Sequence, residues 1–415
     1  MTPTIIFYII IVFLVLSYLR ENIFSLLNLR YAQTHPLPQE ISDLYDPDKR
    51  ALQLNYQRSN THIHLVTECV SFLAILLMLC LGGFAWLNDI VCGWTDNNIL
   101  QALYFYGIIY LAQYVYSIPI SAYDTFVIEQ KFGFNRTTPK TFVTDTIKTI
   151  VLNVVLLGVI LLAIVLIYNY IPEWFWLLAW AVVTFFTLFI GQFYSNLIVP
   201  LFNKQTPLPD GELRTAIEQF AKKVDFKLDN IYVLDESKRS SKSNAYFTGW
   251  GKRKRIVLYD TLINTMTTEE IVSVLAHEIG HSKHHHTLKS IISSSLLNLI
   301  MFALLGIILK YDIFAQAIGC ETASFHINML VFALLYTPIS TILEFCENIS
   351  SRRHEYQADH FVKENGMAQH LITSLKKLTT DNLSNPIPHP VVVFCLYSHP
   401  TLYQRIKALK EDEKH

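Results

Sequence analysis

Long apolar blocks separated by polar runs dominate the chain. Seven are long enough, or nearly so, for a helix to cross a hydrocarbon layer, which takes about 20 residues. They are 3–19, 65–87, 99–120, 147–170, 174–200, 289–309 and 325–346. The first is the shortest. It has no basic residue ahead of it, Arg20 behind it, and no small-residue cleavage site. That polarity predicts a retained anchor and not a cleaved signal.

The polar runs differ in kind. Segments 20–64, with Pro36, Pro38 and Pro47, and 121–146 are expected to be loops. The longer insertion 201–288 has its own periodicities. Leu213, Ile217, Phe220 and Val224 share one face of a helix over 211–224. Strands are expected at 231–234, 245–250 and 255–259, the last two joined by a turn at Gly251. Thr267 and Glu270 form a T-x-x-E capping box that opens a helix running into the apolar residues 271–275. The predicted fold is an α-helical multi-pass membrane protein with seven transmembrane helices. It carries a cytoplasmic, mainly α domain with a small β-sheet. The chain divides into 1–200 (five spans and their loops), 201–288 (insertion), 289–346 (two spans) and 347–415 (C-terminal segment).

Composition agrees: 52% of the 415 residues are hydrophobic and only 16% charged, against roughly a quarter charged in soluble chains. Charge placement sets the orientation. The N-terminal tip and connections 88–98, 171–173 and 310–324 contain one basic residue, Lys310. The other Lys and Arg residues fall in or beside the remaining connections and the tail, which predicts N-terminus outside and C-terminus cytoplasmic. The Lys252–Arg255 cluster then reads as a solvated cytoplasmic turn. Net charge is −1 and no basic stripe with interleaved aromatics occurs, so nucleic acid is not an expected partner. Six cysteines show no C-x-x-C spacing. Cys92 and Cys320 share the outer side, yet spacing alone favours two unpaired thiols.

The stretch VLAHEIGHSKHHH, residues 274–286, carries an H-E-x-x-H. At i and i+4 of a helix, His277 and His281 lie on one face and can reach one ion. Glu278, rotated by about 100°, lies beside that ion, placed to act as a general base on water. A catalytic zinc site takes three protein ligands and keeps one position open. His284 and His285 follow on the same side, but ligands carried progressively along one straight helix cannot converge on a tetrahedral ion. The third ligand must come from elsewhere. In the tail, SRRHEYQADHF offers Glu355, with Asp359 at i+4. If Glu355 is a ligand, Asp359 can accept an N–H from a ligand histidine and fix its tautomer. Glu344, Glu347 and His354 are rivals on spacing alone.

The chain resembles the type I CAAX prenyl proteases, membrane-integral zinc metalloproteases. The resemblance covers KFGFNRTT (131–138), PLFNKQTPL (200–208), SKRSSKSNAYFTG (237–249), KRIVLYDTL (254–262), VLAHEIGH (274–281), SRRHEYQAD (351–359), NLSNPIPHP (382–390) and YSHPTLYQRI (397–406). Asp235 and Glu236 precede SKR, where a glycine is more usual at the second position. The resemblance implies seven helices around a large water-filled chamber closed by a zincin-like metalloprotease domain, with 201–288 as its catalytic insertion and 347–415 as its C-terminal catalytic segment. Gln113, Asn153, Gln192, Asn196, Ser293, Ser294, Ser295, Asn298 and Glu344, polar residues within the spans, suit a wet interior. It implies one Zn2+ per chain on His277, His281 and Glu355, with Glu278 as base. It implies that Asn244 and Ala245 begin a strand that pairs with extended substrate. His399 would polarise the developing oxyanion, and Arg405 would orient the site or bind the substrate's carboxylate.

The implied partners are prenylated or lipid-anchored protein or peptide C-termini, together with membrane lipid. The implied reaction removes the C-terminal tripeptide of a CAAX-type segment. A membrane quality-control metalloprotease is the main alternative, and such relatives have about four spans. A transporter or scaffold with structural zinc is the other. The length suits a bacterial relative, so a bacterial inner membrane is expected ahead of the endoplasmic reticulum.

Overall fold

The structure, a computed structural model, describes residues 2–228, 230–249 and 255–411. Trp250, the Gly251 turn and Lys252 to Lys254 of the basic cluster lie outside the described residues. Seven described helices or helix runs are long and apolar enough to cross a membrane. They are α1 (Pro3–Thr34), α2 (Pro47–Cys80), α4 (Asn98–Tyr123), α5 (Pro139–Tyr170), α6 (Phe175–Phe193), α11 (His286–Ile308) and α13 (Phe325–Glu364). α3 (Gly83–Trp94) follows α2, and α7 (Val199–Phe202) continues the α6 run. The catalytic side adds α8 (Glu212–Lys223), α9 (Asp260–Thr265), α10 (Thr268–Lys283), α14 (Ala368–Asp381), α15 (Pro390–Leu396) and α16 (Leu402–Lys410); α12 (Asp312–Ala317) lies between α11 and α13.

Several expected boundaries move. Residues 20–34, expected in a loop, continue α1, because neither Gly nor Pro interrupts them before Pro36. The polar run from Pro47 is also helical. Asp46 caps its Lys49 N–H at 2.7 Å, and Pro47 occupies the first turn, where its missing N–H costs nothing. Block 65–87 breaks at Leu81–Gly82, with Gly82 at φ +67, a left-handed position that suits glycine. The largest change is at the end of the last span. α13 runs unbroken to Glu364, so SRRHEYQAD is the continuation of that span and not a separate tail helix.

Burial along the spans is uneven. Stretches 11–31, 57–78, 106–127, 139–163, 180–194, 287–301 and 333–347 contain no buried residue. At the end away from the H-E-x-x-H, Ile6, Ile10, Leu79, Phe105 and Ile327 pack together, and Ala102, Val165, Phe175, Phe302 and Phe325 form a second cluster. At the other end α2 and α4 run into the catalytic core through Tyr56 and Ile128. Neighbouring spans contact one another in a closed ring, α1, α2, α4, α5, α6, α11, α13 and back to α1, with α3 between α2 and α4. Gln113, Ser294 and Glu344 are exposed in the unpacked stretches. Asn153 Nδ2 donates to the Tyr114 hydroxyl at 3.1 Å, so at least one polar pair ties span to span.

The catalytic side surrounds a four-stranded sheet: β1 (Gln205–Pro207), β2 (Asn230–Leu234), β3 (Ala245–Thr248) and β4 (Arg255–Tyr259), in the order β1-β2-β4-β3. β2 and β4 are parallel, with Ile231 opposite Ile256, while β1 and β3 run antiparallel to their neighbours. Ile256, Val257 and Leu258 are all buried, as a central strand covered on both faces requires. Ile217, Phe220, Ile271, Leu275, Ile279, Val362, Leu371 and Ile406 complete the core. The KFGFN segment belongs to it. Gly133 (φ +82) turns the chain so that Phe132 and Phe134 are both buried, and Asn135 bridges to Ser240.

Candidate metal centre

The capping box forms as expected: the Glu270 N–H reaches Thr267 Oγ1 at 3.4 Å, and the Thr267 N–H donates to Glu270 Oε2 at 2.9 Å. It starts α10 two turns before His277. One turn on, His281 turns its Nε2 toward that of His277, 3.1 Å away. α13 crosses against this face. A Cβ on Gly280 would sit 3.1 Å from the Ala358 Cα and 3.2 Å from the Phe361 Cβ, so the glycine inside H-E-I-G-H lets the two helices touch. This close crossing delivers Glu355. Its Oε2 lies 3.4 Å from His277 Nε2, and its Oε1 lies 3.2 Å from His281 Nε2.

One donor atom from each of these three residues lies within 4.8 Å of the other two, the one such group among the described residues. Glu355 Oε2 is buried without a hydrogen-bond partner. Two imidazole nitrogens aimed at each other beside an unsatisfied buried carboxylate oxygen fit a cation. The rivals do not join: Glu344 and Glu347 are exposed, Glu347 accepting from Ser294 Oγ at 3.2 Å. His354 stacks on His286, with ring centroids 4.0 Å apart.

Behind the group, Asp359 Oδ1 accepts from His277 Nδ1 at 2.9 Å. Arg405 on α16 grips the same carboxylate with two bonds, Nε to Oδ2 at 2.8 Å and Nη2 to Oδ1 at 2.6 Å. Its Nη1 lies 3.7 Å from Glu355. Burial pushes the Arg405 guanidinium down, but the Asp359 and Glu355 carboxylates outweigh it and raise it above its ordinary value. Arg405 therefore stays charged, with its fork spent on Asp359.

Glu278 is half-buried and faces the cavity, of about 410 Å³, that holds the three-residue group. His399 lines the same cavity. Its ring is exposed, with Nε2 3.3 Å from Glu355 Oε1 and Nδ1 2.9 Å from Ser398 Oγ. Asn244 and Ala245 line the cavity where β3, an edge strand, begins. All nine expected site residues thus gather in one region.

Two contributors escape a sequence reading, and a third, His286, is expected only as a residue at or behind the site where the H-E-x-x-H helix meets the sixth span. Arg352 donates to the carbonyls of Val393 and Phe394, both at 3.1 Å, and so fixes the end of α15 from which the His399 turn leaves. Gly280 acts through a helix crossing that spacing does not reveal. His286 folds back onto His281, and the left-handed residue before it, His285 (φ +56), is visible only in the backbone.

A ring of spans closed by a domain with paired imidazoles, a carboxylate and an adjacent glutamate defines a membrane-embedded metallopeptidase. Comparison with known proteins agrees. A profile described as "CAAX prenyl protease N-terminal, five membrane helices" matches residues 28–204, and that of peptidase family M48 matches 207–413. The human CAAX prenyl protease 1 homolog is 32% identical, over 93% of this chain and 91% of its own length. CAAX prenyl protease 1 of Saccharomyces cerevisiae is 39% identical, over 75% and 73%. The crystal structure of S. mikatae Ste24p superposes with a TM-score of 0.91 at 33% identity, covering 98% of this chain and 99% of that one. The chain belongs to the CAAX prenyl protease group of peptidase family M48, whose members carry a catalytic metal.

Proposed function

We propose that the protein is a zinc endopeptidase that removes the C-terminal tripeptide of prenylated CAAX-type chains inside its membrane chamber. The observation that carries this reading is the convergence of His277, His281 and Glu355, with Glu278 beside them, at the mouth of a ring of spans. Two imidazoles and one carboxylate are a zinc donor set that leaves a position open, so one Zn2+ per chain is inferred. Bound zinc supplies Lewis acidity, polarising a carbonyl and acidifying water.

The chain's own residues do the rest. The free edge of β3 holds an extended peptide by backbone pairing, entered at Asn244 and Ala245. Glu278 takes a proton from the attacking water and returns it to the departing amine. His399, exposed in the same cavity, donates to the oxygen that gains charge. Arg405 orients the site through Asp359 and His277; its bidentate bond to Asp359 weighs against its binding the substrate's carboxylate. Asp359 keeps the His277 proton on Nδ1 and leaves Nε2 for the metal.

We read 201–288 and 347–415 as one catalytic unit split by spans 289–346, with 1–200 as the five-span portion; their shared core supports this. Basic residues favour a cytoplasmic active site and an outer N-terminus. The human and yeast relatives are eukaryotic, and the chain spans 96% of the rice relative's length. Length therefore gives no support to a bacterial inner membrane, and the endoplasmic reticulum is the better reading. Seven spans and full-length similarity to CAAX prenyl proteases favour prenyl-tail processing over quality control.

Incubation with matched farnesylated and unfarnesylated CAAX peptides, read by mass spectrometry, tests the substrate. Release of the intact tripeptide from the farnesylated peptide alone is expected. Equal cleavage of both, at scattered bonds, contradicts it.

A further inference from the structure

The two histidines of the group are held from behind in different ways. His277 Nδ1 meets a carboxylate that an arginine clamps. His281 Nδ1 meets only another imidazole, His286 Nδ1, at 3.0 Å. His286 is buried, and its second nitrogen, Nε2, lies 2.7 Å from Gln357 Oε1. His285 in the left-handed region breaks the helix between α10 and α11, and His286 just after it meets His281.

The proton positions along this line follow from its end. Gln357 Oε1 can only accept, so His286 Nε2 carries the hydrogen. A neutral His286 then offers a lone pair at Nδ1. His281 must donate to it from its own Nδ1, which leaves His281 Nε2 unprotonated and facing His277 and Glu355. The opposite arrangement would put a hydrogen on His281 Nε2 and block it as a ligand.

We propose that His286 and Gln357 form a neutral relay that sets the tautomer and ring plane of His281, making His286 a positioning residue for the metal. This rests on the reading of His277, His281 and Glu355 as ligands. A partner of this kind is worth about 10–100-fold in metal affinity.

The test is zinc affinity of the full-length protein in lipid nanodiscs, measured by competition with a chromophoric chelator. His286→Phe fills the ring's place but cannot accept a hydrogen bond; zinc should bind about 10–100-fold more weakly. His286→Asn places an oxygen near the former Nδ1 and should restore most of the loss. Gln357→Leu, at an exposed position, should weaken binding without disturbing the core, and Gln357→Glu should not weaken it. His354→Phe keeps the ring that stacks on His286 and should leave affinity unchanged. Metal-free His286→Phe and His286→Asn should unfold at the same temperature, which separates the relay from packing.

Wild-type affinity in both His286→Phe and Gln357→Leu would overturn the proposal, as would failure of His286→Asn to restore binding at equal stability. Glu355→Ala, run alongside, tells the two failures apart. If it abolishes binding while His286→Phe does not, the relay alone fails; if neither changes binding, the ligand reading fails and the relay with it.

Discussion

The two ends of the helix ring are closed by different means. At the far end Ile6, Ile10, Phe105 and Ile327, with Phe302 and Phe325 beside them, fill space with apolar side chains. Such contacts are non-directional, and a neighbour of similar volume can replace one. The catalytic end has an apolar core too, but within it Arg405, Asp359, His277, Glu355 and His281 must each meet one particular atom. One end therefore tolerates substitution of like volume, and the other tolerates almost none. Damage at the far end should appear as lost stability, whereas damage at the catalytic end should appear as lost metal or lost turnover.

Glu278→Gln gives the cleanest separation. Peptide cleavage should fall by at least about 10²–10⁴-fold, the usual range for a lost general base. Zinc content, measured by atomic absorption, should stay at the wild-type level. Near-normal cleavage would remove Glu278 from its role.

Arg405→Met strikes the clamp. It leaves the buried Asp359 carboxylate with His277 but without its cation, and removing one half of a buried pair costs about 3–5 kcal/mol. Both thermal stability and zinc retention should drop. Stable, fully metallated protein would mean that the clamp is dispensable.

Gly280→Ala adds one methyl where α10 meets α13. Overpacking of this kind costs typically about 1–3 kcal/mol. Since the crossing delivers Glu355, weaker zinc binding should accompany the lower unfolding temperature. At the far end Phe105→Ala should cost about 3–5 kcal/mol while leaving zinc affinity as it was. If that variant also loses zinc, the two ends are not separable as described.

Acidity gives the smallest effect. In the metal-free protein, burial and the Arg405 charge push the His277 imidazole down, but the Asp359 and Glu355 carboxylates beside it win and hold it above its ordinary value. The proton is therefore kept to a higher pH and competes with the metal. Apparent zinc affinity should fall as pH is lowered through the imidazole range. Equilibrium dialysis across that range checks the sign, and pH-independent binding would contradict it.

The same contrast decides what could be read in advance. The spans are legible because 20 apolar residues in a row have few other uses, although α1, α2 and α13 run past their apolar blocks into polar sequence. The His277–His281 pair is legible because helical geometry links i to i+4. Glu355 was one of several carboxylates on spacing alone, and it needed either the family resemblance or the helix crossing at Gly280 to single it out. Arg352 and Gly280 were not legible, and His286 was legible only as a residue at or behind the site, where the H-E-x-x-H helix meets the sixth span. Each acts through a partner between 5 and 81 residues away whose approach only the folded chain brings about.

The central claim is that one metal is held by residues from two segments, α10 and the extension of the last span. Zinc stoichiometry of Glu355→Ala against Glu344→Ala and Glu347→Ala tests it most directly. One zinc per chain is expected in the wild type and in both of the latter variants, and little or none in Glu355→Ala. A full complement of zinc in Glu355→Ala would contradict the account.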